Sequence, residues 1–173
     1  HDDAFAAMED LEGAKGRLEF AGRRGQAPIF IDYAHKPDAL SKTLEALRPY
    51  VKKRLIVVFG AGGNRDPGKR PMMGAIAAHG ADRVIVTSDN PRSEDPAVII
   101  AGIVGGIDDR SRTAVVEDRR TAIAQAVVEA SSRDVIVLAG KGHEDYQEIA
   151  GVRQPFSDVT EATQALMQRG TLR

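Results

Sequence analysis

The sequence contains no cysteine, which excludes disulfide bonds and cysteine-ligated zinc sites. It also lacks a long apolar run, since none approaches the ~20 residues of a membrane-spanning helix. Its charges nearly cancel, to a formal net charge of −1 at pH 7, so charge does not favour nucleic acid or an acidic membrane as a partner. No basic segment followed by an apolar one opens the chain, so no secretory signal is expected. These absences predict a cytoplasmic protein that binds neither membrane nor nucleic acid.

What is present is the composition of an ordinary globular domain. The chain has 173 residues, of which 42% are hydrophobic and 28% charged, and this length can bury a sizeable core. Residues 1–16 are polar and irregular, and we interpret them as a linker or the end of a preceding domain. The four histidines, at positions 1, 35, 79 and 143, show no metal-ligand spacing, so we predict no metal site.

Short apolar runs alternate with segments of helical periodicity along most of the chain. Strands are predicted at residues 17–21, 29–33, 55–59, 83–87, 113–116, 135–139, 146–149 and 152–156. Helices are predicted from Pro37 to Leu47 and over about residues 70–79, 97–107, 119–130 and 158–168. Strands that are nearly all apolar are buried on both faces, so the pattern predicts an α/β domain with a mostly parallel, doubly wound sheet flanked by helices. The first two strands, joined by a turn at residues 22–26, would add an antiparallel edge.

Local signals predict where several helices begin and end. Asp95 and Asp118 directly precede helices, and their side chains can accept hydrogen bonds from the first N–H groups. Ser157 and Asp158 have the same place before the last helix. Gly80 follows the second helix, and we expect it to stop that helix as a left-handed cap residue.

Three polar loops each follow a predicted buried strand. They cover residues 60–66, 88–92 and 140–145, and they contain acidic, amide and basic side chains together with several glycines. In an open α/β sheet, ligands bind outside the carboxyl ends of the strands. The sequence therefore predicts that these three loops meet at one ligand site.

The loop at residues 88–92 places a carboxylate, an amide and a guanidinium within four residues. Pro91 restricts the backbone of the loop and holds Asn90 extended, so the turn is stiff. The guanidinium of Arg92 could grip a carboxylate with two hydrogen bonds. An Asx-type turn followed by a surface arginine is the alternative interpretation, and the position after a buried strand argues against it.

Residues 63–70 are nearly a nucleotide phosphate loop, Gly-x-x-x-x-Gly-Lys-Ser/Thr. Position 70 is Arg, so the hydroxyl group that would hold Mg²⁺ is missing, and Pro67 removes one N–H from the cradle. Two interpretations remain, a glycine-rich turn into a helix or an anion site of another kind. For the second, Arg65, Lys69 and Arg70 near a helix N-terminus would suit a carboxylate or a phosphate.

The remaining loops complete the predicted site. Glycines around Lys141 would allow close backbone approach to a ligand, and Glu144 could receive an ammonium group. His35 could donate to a phosphate, act as a base or be a structural residue. Together the loops suit a small zwitterion with more than one carboxylate and more than one ammonium. No activated nucleophile with an obvious base is present, so the residues predict substrate binding rather than chemistry.

Four segments occur in the order and spacing found in the Mur ligases, at residues 32–40, 62–71, 89–92 and 140–147. Over residues 15–170 the chain resembles the C-terminal domain of the diaminopimelate-adding members of this family. The resemblance implies a Rossmann-like domain that closes over a separate ATP-binding domain. It also implies a bacterial enzyme of peptidoglycan synthesis that joins meso-diaminopimelate to UDP-N-acetylmuramoyl-L-Ala-D-Glu. ATP and Mg²⁺ would serve to activate a carboxylate as an acyl phosphate, which the incoming amine then attacks.

The resemblance also implies roles for individual residues. Arg65 would bind one carboxylate of diaminopimelate and Arg92 the distal one, within the motif Asp-Asn-Pro-Arg. Glu144 and the carbonyl of Gly140 would receive the ammonium. The implied substrate-binding residues are Arg65, Asp89, Asn90, Pro91, Arg92, Gly140 and Glu144, and Asp32 and His35 would lie toward the nucleotide.

The chain also departs from the family pattern. Position 36 is Lys where Thr is the commoner family residue. The N-terminal UDP-sugar domain and the central ATP-binding domain, which would bind most of the ATP and the Mg²⁺, have no counterpart in residues 1–173. We therefore expect residues 17–173 to be a monomeric amino-acid-binding domain with no catalytic residues and no catalysis of its own. Two alternatives stay open, a ligase domain for another amino acid such as L-lysine and a non-catalytic amino-acid-binding module.

Overall fold

A computed structural model of the protein describes residues 17–25 and 27–170. The first sixteen residues, predicted to be a linker or the end of a preceding domain, lie outside the described residues. Within the described part, no helix is both long enough and apolar enough to cross a membrane.

A six-stranded sheet forms the centre of the molecule, in the order β1-β2-β6-β3-β4-β5. Its strands are β1 (Glu19–Arg24), β2 (Ala27–Asp32), β3 (Leu55–Phe59), β4 (Arg83–Val86), β5 (Thr113–Val115) and β6 (Val135–Ala139). Only β1 pairs antiparallel, with β2 at the edge, and the other four pairings are parallel. A separate hairpin consists of β7 (Tyr146–Ile149) and β8 (Val152–Pro155). This confirms the predicted, mostly parallel α/β sheet with antiparallel edge strands.

In residues 17–25 and 27–170, five helices cover the two faces of the sheet. They are α1 (Pro37–Leu47), α2 (Lys69–Gly80), α3 (Pro96–Val104), α4 (Arg119–Glu129) and α5 (Asp158–Gly170), and a 3₁₀ turn (Arg48–Tyr50) follows α1. Successive side chains of β3 point to opposite faces of the sheet. Val57 packs in the cluster formed with α1, α2 and α3, whereas Ile56 packs in the cluster formed with α4 and α5. The strands are apolar throughout because both of their faces are buried.

Helix starts agree with the capping signals in the sequence. The carboxylate of Asp95 accepts from the N–H of Ala97 at 2.9 Å, and that of Asp118 accepts from Thr121 at 2.9 Å. At α5 the hydroxyl of Ser157 accepts from the N–H of Thr160 at 3.3 Å. The Asp158 carboxylate is instead used in a buried ion pair.

Two glycines have roles that differ from those predicted. Gly22 was expected in a turn but lies within β1, where it has a φ of +147° at an irregularity in the register with β2. Gly80 is the last helical residue of α2 and not a left-handed cap, since the chain turns at the extended Ala81. A side chain at position 80 would press on Leu44 of α1, so helix packing explains this glycine.

A buried ion pair ties the helices to the carboxyl edge of the sheet. The guanidinium of Arg119 bonds the carboxylate of Asp158 at 2.7 Å and 2.8 Å, and both side chains are 0% exposed. The same guanidinium donates to the carbonyl oxygens of Ser88 and Ala139, each at 3.2 Å. Burial alone lowers the pKa of Arg119, but the Asp158 carboxylate outweighs it, so the pKa lies above its usual value. The pair therefore joins the starts of α4 and α5 to the ends of β4 and β6.

Neighbouring arginines of α4 offer a direct test of this pair. We expect Arg119→Ala to lower the free energy of unfolding by about 3–5 kcal/mol, because it leaves the Asp158 carboxylate buried without its guanidinium. Arg120→Ala is the matched control, because Arg120 also pairs with an acid of α5, Glu161, but has a side chain that is 65% exposed. Its urea midpoint should fall much less than that of Arg119→Ala, because only the Glu161 end of this pair, at 7% exposure, is buried. Equal midpoints for the two variants would contradict the role given to Arg119.

Candidate functional site

A cavity of about 370 Å³ opens at the carboxyl edge of the sheet. Its lining combines the loops that follow β2, β3, β4 and β6. The lining residues are Tyr33, His35, Lys36, Ala61, Gly62, Arg65, Asp66, Lys69, Arg70, Met73, Asp89, Asn90, Arg92, Gly140 and Glu144. Seven of the nine predicted site residues therefore meet around one space, and the exceptions are Asp32 and Pro91.

Asn90 lies at the centre of a buried hydrogen-bond network. Its side-chain oxygen accepts from the ammonium of Lys141 at 2.9 Å and from the backbone N–H of Glu148 at 3.0 Å. Its side-chain nitrogen lies 3.5 Å from a carboxylate oxygen of Glu144. The backbone is also held, since the Asn90 carbonyl accepts from the N–H of Gly63 at 2.8 Å. Asn90 thus binds the segment after β6 through its side chain and the loop after β3 through its backbone.

Lys141 supports the site from a fully buried position. Its ammonium lies 3.4 Å from the carboxylate of Asp89 and 5.7 Å from the centre of the Tyr146 ring. Burial lowers the pKa of Lys141 below its usual value, because a charge is poorly solvated there, and the Asp89 carboxylate opposes this shift. The carbonyl of Asp89 accepts from the side-chain amide of Gln147 at 2.8 Å. The carboxylate and the backbone carbonyl of Asp89 therefore both contact the segment that follows β6.

The guanidinium of Arg92 has hydrogen-bond and ion-pair partners within the chain. Its Nη1 donates to the carbonyl of Gly63 at 2.8 Å, and its Nε lies 3.4 Å from a carboxylate oxygen of Glu148. The side chain is 25% exposed. Without a ligand carboxylate, the guanidinium of Arg92 therefore keeps partners within the chain. A ligand carboxylate would instead share or replace contacts that Arg92 already makes.

Close backbone contact holds the loops after β3 and β4 against each other. A side-chain carbon on Gly60 would overlap the Thr87 carbonyl, and one on Gly63 would overlap the Pro91 carbonyl. Arg92 has a φ of +56°, in the left-handed region that few arginines adopt. Pro91 therefore acts through its backbone rather than by lining the cavity.

The basic residues after β3 divide into exposed and paired groups. Arg65 and Lys69 are exposed and line the cavity. Arg70 is buried, and its Nη2 bonds the carboxylate of Glu94 at 2.9 Å, so its charge is already neutralised. The side chain of Asp66 accepts from the N–H of Gly68 at 2.9 Å. One N–H of the segment that resembles a phosphate loop therefore already has an acceptor within the chain. Of the predicted cationic trio, Arg65 and Lys69 are placed to meet an anion.

The two residues predicted to face the nucleotide have different surroundings. His35 is exposed, lines the cavity and lies against Tyr33, with ring centres 4.6 Å apart and ring planes inclined by 60°. Asp32 is buried, and its carboxylate accepts from the N–H groups of Leu18 and Ala34 and from the hydroxyl of Thr43. Asp32 therefore fixes the chain after β2, and a contact with nucleotide stays a prediction for both residues.

The sequence did not point to several residues that contact and support the site residues. Lys141 stood in a recognised motif but was given no role, and Arg119 and Glu148 were not considered. Their types gave no signal, because lysine, arginine and glutamate are usually exposed. The position of Lys141 directly after an apolar strand and between two glycines is the one sequence feature that points to its burial.

Comparison with known proteins identifies the family of the chain. Residues 16–142 match the family model described as "Mur ligase, glutamate ligase domain". The chain is 54% identical over 167 residues to the UDP-N-acetylmuramoyl-L-alanyl-D-glutamate–2,6-diaminopimelate ligase of Bradyrhizobium diazoefficiens, covering 96% of this chain and 34% of that protein. It is 52% identical over 165 residues to the ligase of the same name from Ectopseudomonas mendocina, covering 95% and 34%.

A solved structure of a ligase with the same name superimposes with a TM-score of 0.86 at 48% identity, covering 92% of this chain and 33% of that one. The chain thus spans about a third of the length of the curated relatives it matches. The family model covers well over half of the chain, and the likeness to these relatives extends over nearly all of it. On these matches, this chain belongs to the Mur ligase family, in the part that the family model describes as the glutamate ligase domain.

Proposed function

We propose that this chain is the amino-acid-binding C-terminal domain of an ATP-dependent ligase that joins meso-diaminopimelate to UDP-N-acetylmuramoyl-L-Ala-D-Glu in the bacterial cytoplasm. The names of relatives at 52–54% identity support this substrate pair. Residues 17–173 would form the domain and residues 1–16 its connection to the preceding one. A UDP-sugar domain and a central domain would complete the enzyme.

The observation that carries the proposal is the set of charges around the cavity. Two guanidinium groups, of Arg65 and Arg92, face the same space as the Glu144 carboxylate and the Asn90 amide. Diaminopimelate has two carboxylates and two ammonium groups, so each of these protein groups has a partner of opposite charge or polarity in the ligand. L-lysine lacks the second carboxylate and would leave one arginine without a ligand contact.

Each residue then has a defined task in binding. Arg92 would hold the distal carboxylate, and Arg65, which is exposed and free to turn inward, would hold the other. Glu144 would receive an ammonium together with the carbonyl of Gly140. A φ of +114° at Gly140 allows the backbone to bend close to Asp89, where a side chain would crowd the carboxylate. The domain thus orients the incoming amine, and orientation of two reactants is itself a large part of catalysis.

ATP and Mg²⁺ belong to the proposal through the rest of the enzyme. His35, Lys36 and Lys69 line the cavity, and they suit a phosphate that approaches from a neighbouring domain. In residues 17–25 and 27–170, no three or more His, Cys, Asp or Glu side chains are grouped to hold a metal ion. The central domain would therefore supply the Mg²⁺ ligands. ATP would supply the phosphoryl group that activates the carboxylate to be joined.

Ligand discrimination is the first test. We expect meso-diaminopimelate to shift the backbone amide signals of residues 65, 89–92 and 140–144 in an NMR titration, and L-lysine to bind about 10- to 100-fold more weakly, because it forms one charged contact fewer. Arg92→Asn should bring the two affinities close together. Asparagine suits this test because it tolerates the left-handed backbone of position 92.

The matched control is Arg133→Ala, which removes an exposed arginine next to the start of β6, at the opposite edge of the sheet. It should leave both affinities unchanged. Equal affinities of the wild-type chain for the two amino acids would contradict the role of Arg92. They would instead favour a ligase for another amino acid.

The second test measures whether this chain turns over ATP without the other domains. We expect the 173-residue chain alone to release no phosphate from ATP, with or without meso-diaminopimelate, in a coupled phosphate assay. The full-length protein should release phosphate when both amino acid and UDP-N-acetylmuramoyl-L-Ala-D-Glu are present. Turnover of ATP by the chain alone would show that it has a nucleotide site of its own, against the proposal.

A further inference from the structure

The orientation of the Asn90 side chain follows from its neighbours. One end of the amide faces the backbone N–H of Glu148 at 3.0 Å and the ammonium of Lys141 at 2.9 Å. A backbone N–H and an ammonium group can only donate hydrogen bonds. The atom between them must therefore be the amide oxygen, and the NH₂ group must point the other way.

The other end of the amide faces the ligand space. Its nitrogen lies 3.5 Å from a carboxylate oxygen of Glu144, and both Asn90 and Glu144 line the cavity. A carboxylate accepts hydrogen bonds, which agrees with an NH₂ group at this end. Asn90 therefore offers the ligand a donor and not an acceptor.

Lys141 is placed to impose this orientation without touching a ligand. It is fully buried and is not among the described residues that line the cavity. Its ammonium contacts both Asn90 and Asp89, two consecutive residues of the loop after β4, from the loop after β6. Loss of the ammonium would leave the Asn90 oxygen with one donor and would remove the cation that lies 3.4 Å from the Asp89 carboxylate.

We propose that Lys141 is a positioning residue for ligand binding, which holds Asn90 so that the NH₂ group faces the cavity and donates to a carboxylate of the bound amino acid. The identity of that ligand rests on the proposed function. The orientation of the Asn90 side-chain amide, by contrast, can be tested in the chain without ligand. The two ideas can therefore fail separately, and the experiment has one part for each.

The first part uses the ligand-free chain. In the wild-type protein, the two side-chain amide protons of Asn90 should show NMR cross-relaxation to the side chain of Glu144. Lys141→Met, which keeps the length of the side chain and removes the charge, should shift or broaden these two signals. Lys53→Met, at an exposed lysine next to the start of β3, is the control and should leave them in place.

This part is decisive even where the variant does not fold. Cross-relaxation from the Asn90 amide protons to Lys141 and the N–H of Glu148 in the wild-type chain, in place of Glu144, would overturn the proposal. Unchanged Asn90 signals in a folded Lys141→Met variant would also overturn it.

The second part measures binding of meso-diaminopimelate in a double-mutant cycle. We expect Lys141→Met and Asn90→Ala each to weaken binding about 10- to 100-fold, because each removes the oriented donor. Since Lys141 acts through Asn90, Lys141→Met should cost little further affinity in the Asn90→Ala background. Losses that multiply in the double variant would show a general structural effect and refute the positioning role. Wild-type protein that binds no diaminopimelate would count against the proposed function, and the ligand-free part would still decide on Lys141.

Discussion

A buried ion pair between Arg119 and Asp158 fixes the geometry of the carboxyl edge of the sheet. Its guanidinium reaches the carbonyl groups of Ser88 and Ala139, which lie at the ends of β4 and β6. A fully buried charge is tolerated only when each of its donors and acceptors has a partner. The pair therefore holds α4, α5 and two strand ends in one arrangement. The loops that follow those two strands contain Asn90 and Glu144. The pair therefore fixes the positions from which both loops start.

Most charges near the cavity are already balanced within the chain. Arg70 pairs with Glu94, Arg92 lies against Glu148, and Lys141 lies against Asp89. This balance lets cationic groups sit close together before a ligand arrives. It also means that a ligand carboxylate competes with contacts of the protein, so the affinity reflects a difference between two sets of interactions. Arg65 and Lys69 are exposed on the cavity wall, and the head of Arg65 can move to the ligand at little cost.

The regular elements could be predicted because their causes are local. Strands such as Leu55–Phe59 are apolar at every position, and that pattern requires burial of both faces. Asp95 and Asp118 cap helices through groups only a few residues away. The glycines were harder to interpret, because their causes lie elsewhere in the chain. Gly80 makes room for Leu44 of another helix, and Gly63 makes room for the carbonyl of Pro91.

From the sequence we could predict the α/β class, the order of strands and helices along the chain, and the loops that carry the polar residues of the site. These features depend on periodicity and on the chemistry of neighbouring residues. Which charged groups are exposed at the cavity and which form buried ion pairs could be read only from the folded structure. Arg65 and Arg70 stand five positions apart with the same chemistry, yet one is exposed at the cavity and the other is buried against Glu94. The physical reason is that burial and partner choice depend on residues far along the chain, and only the packing of β4, β6 and their helices brings those residues together.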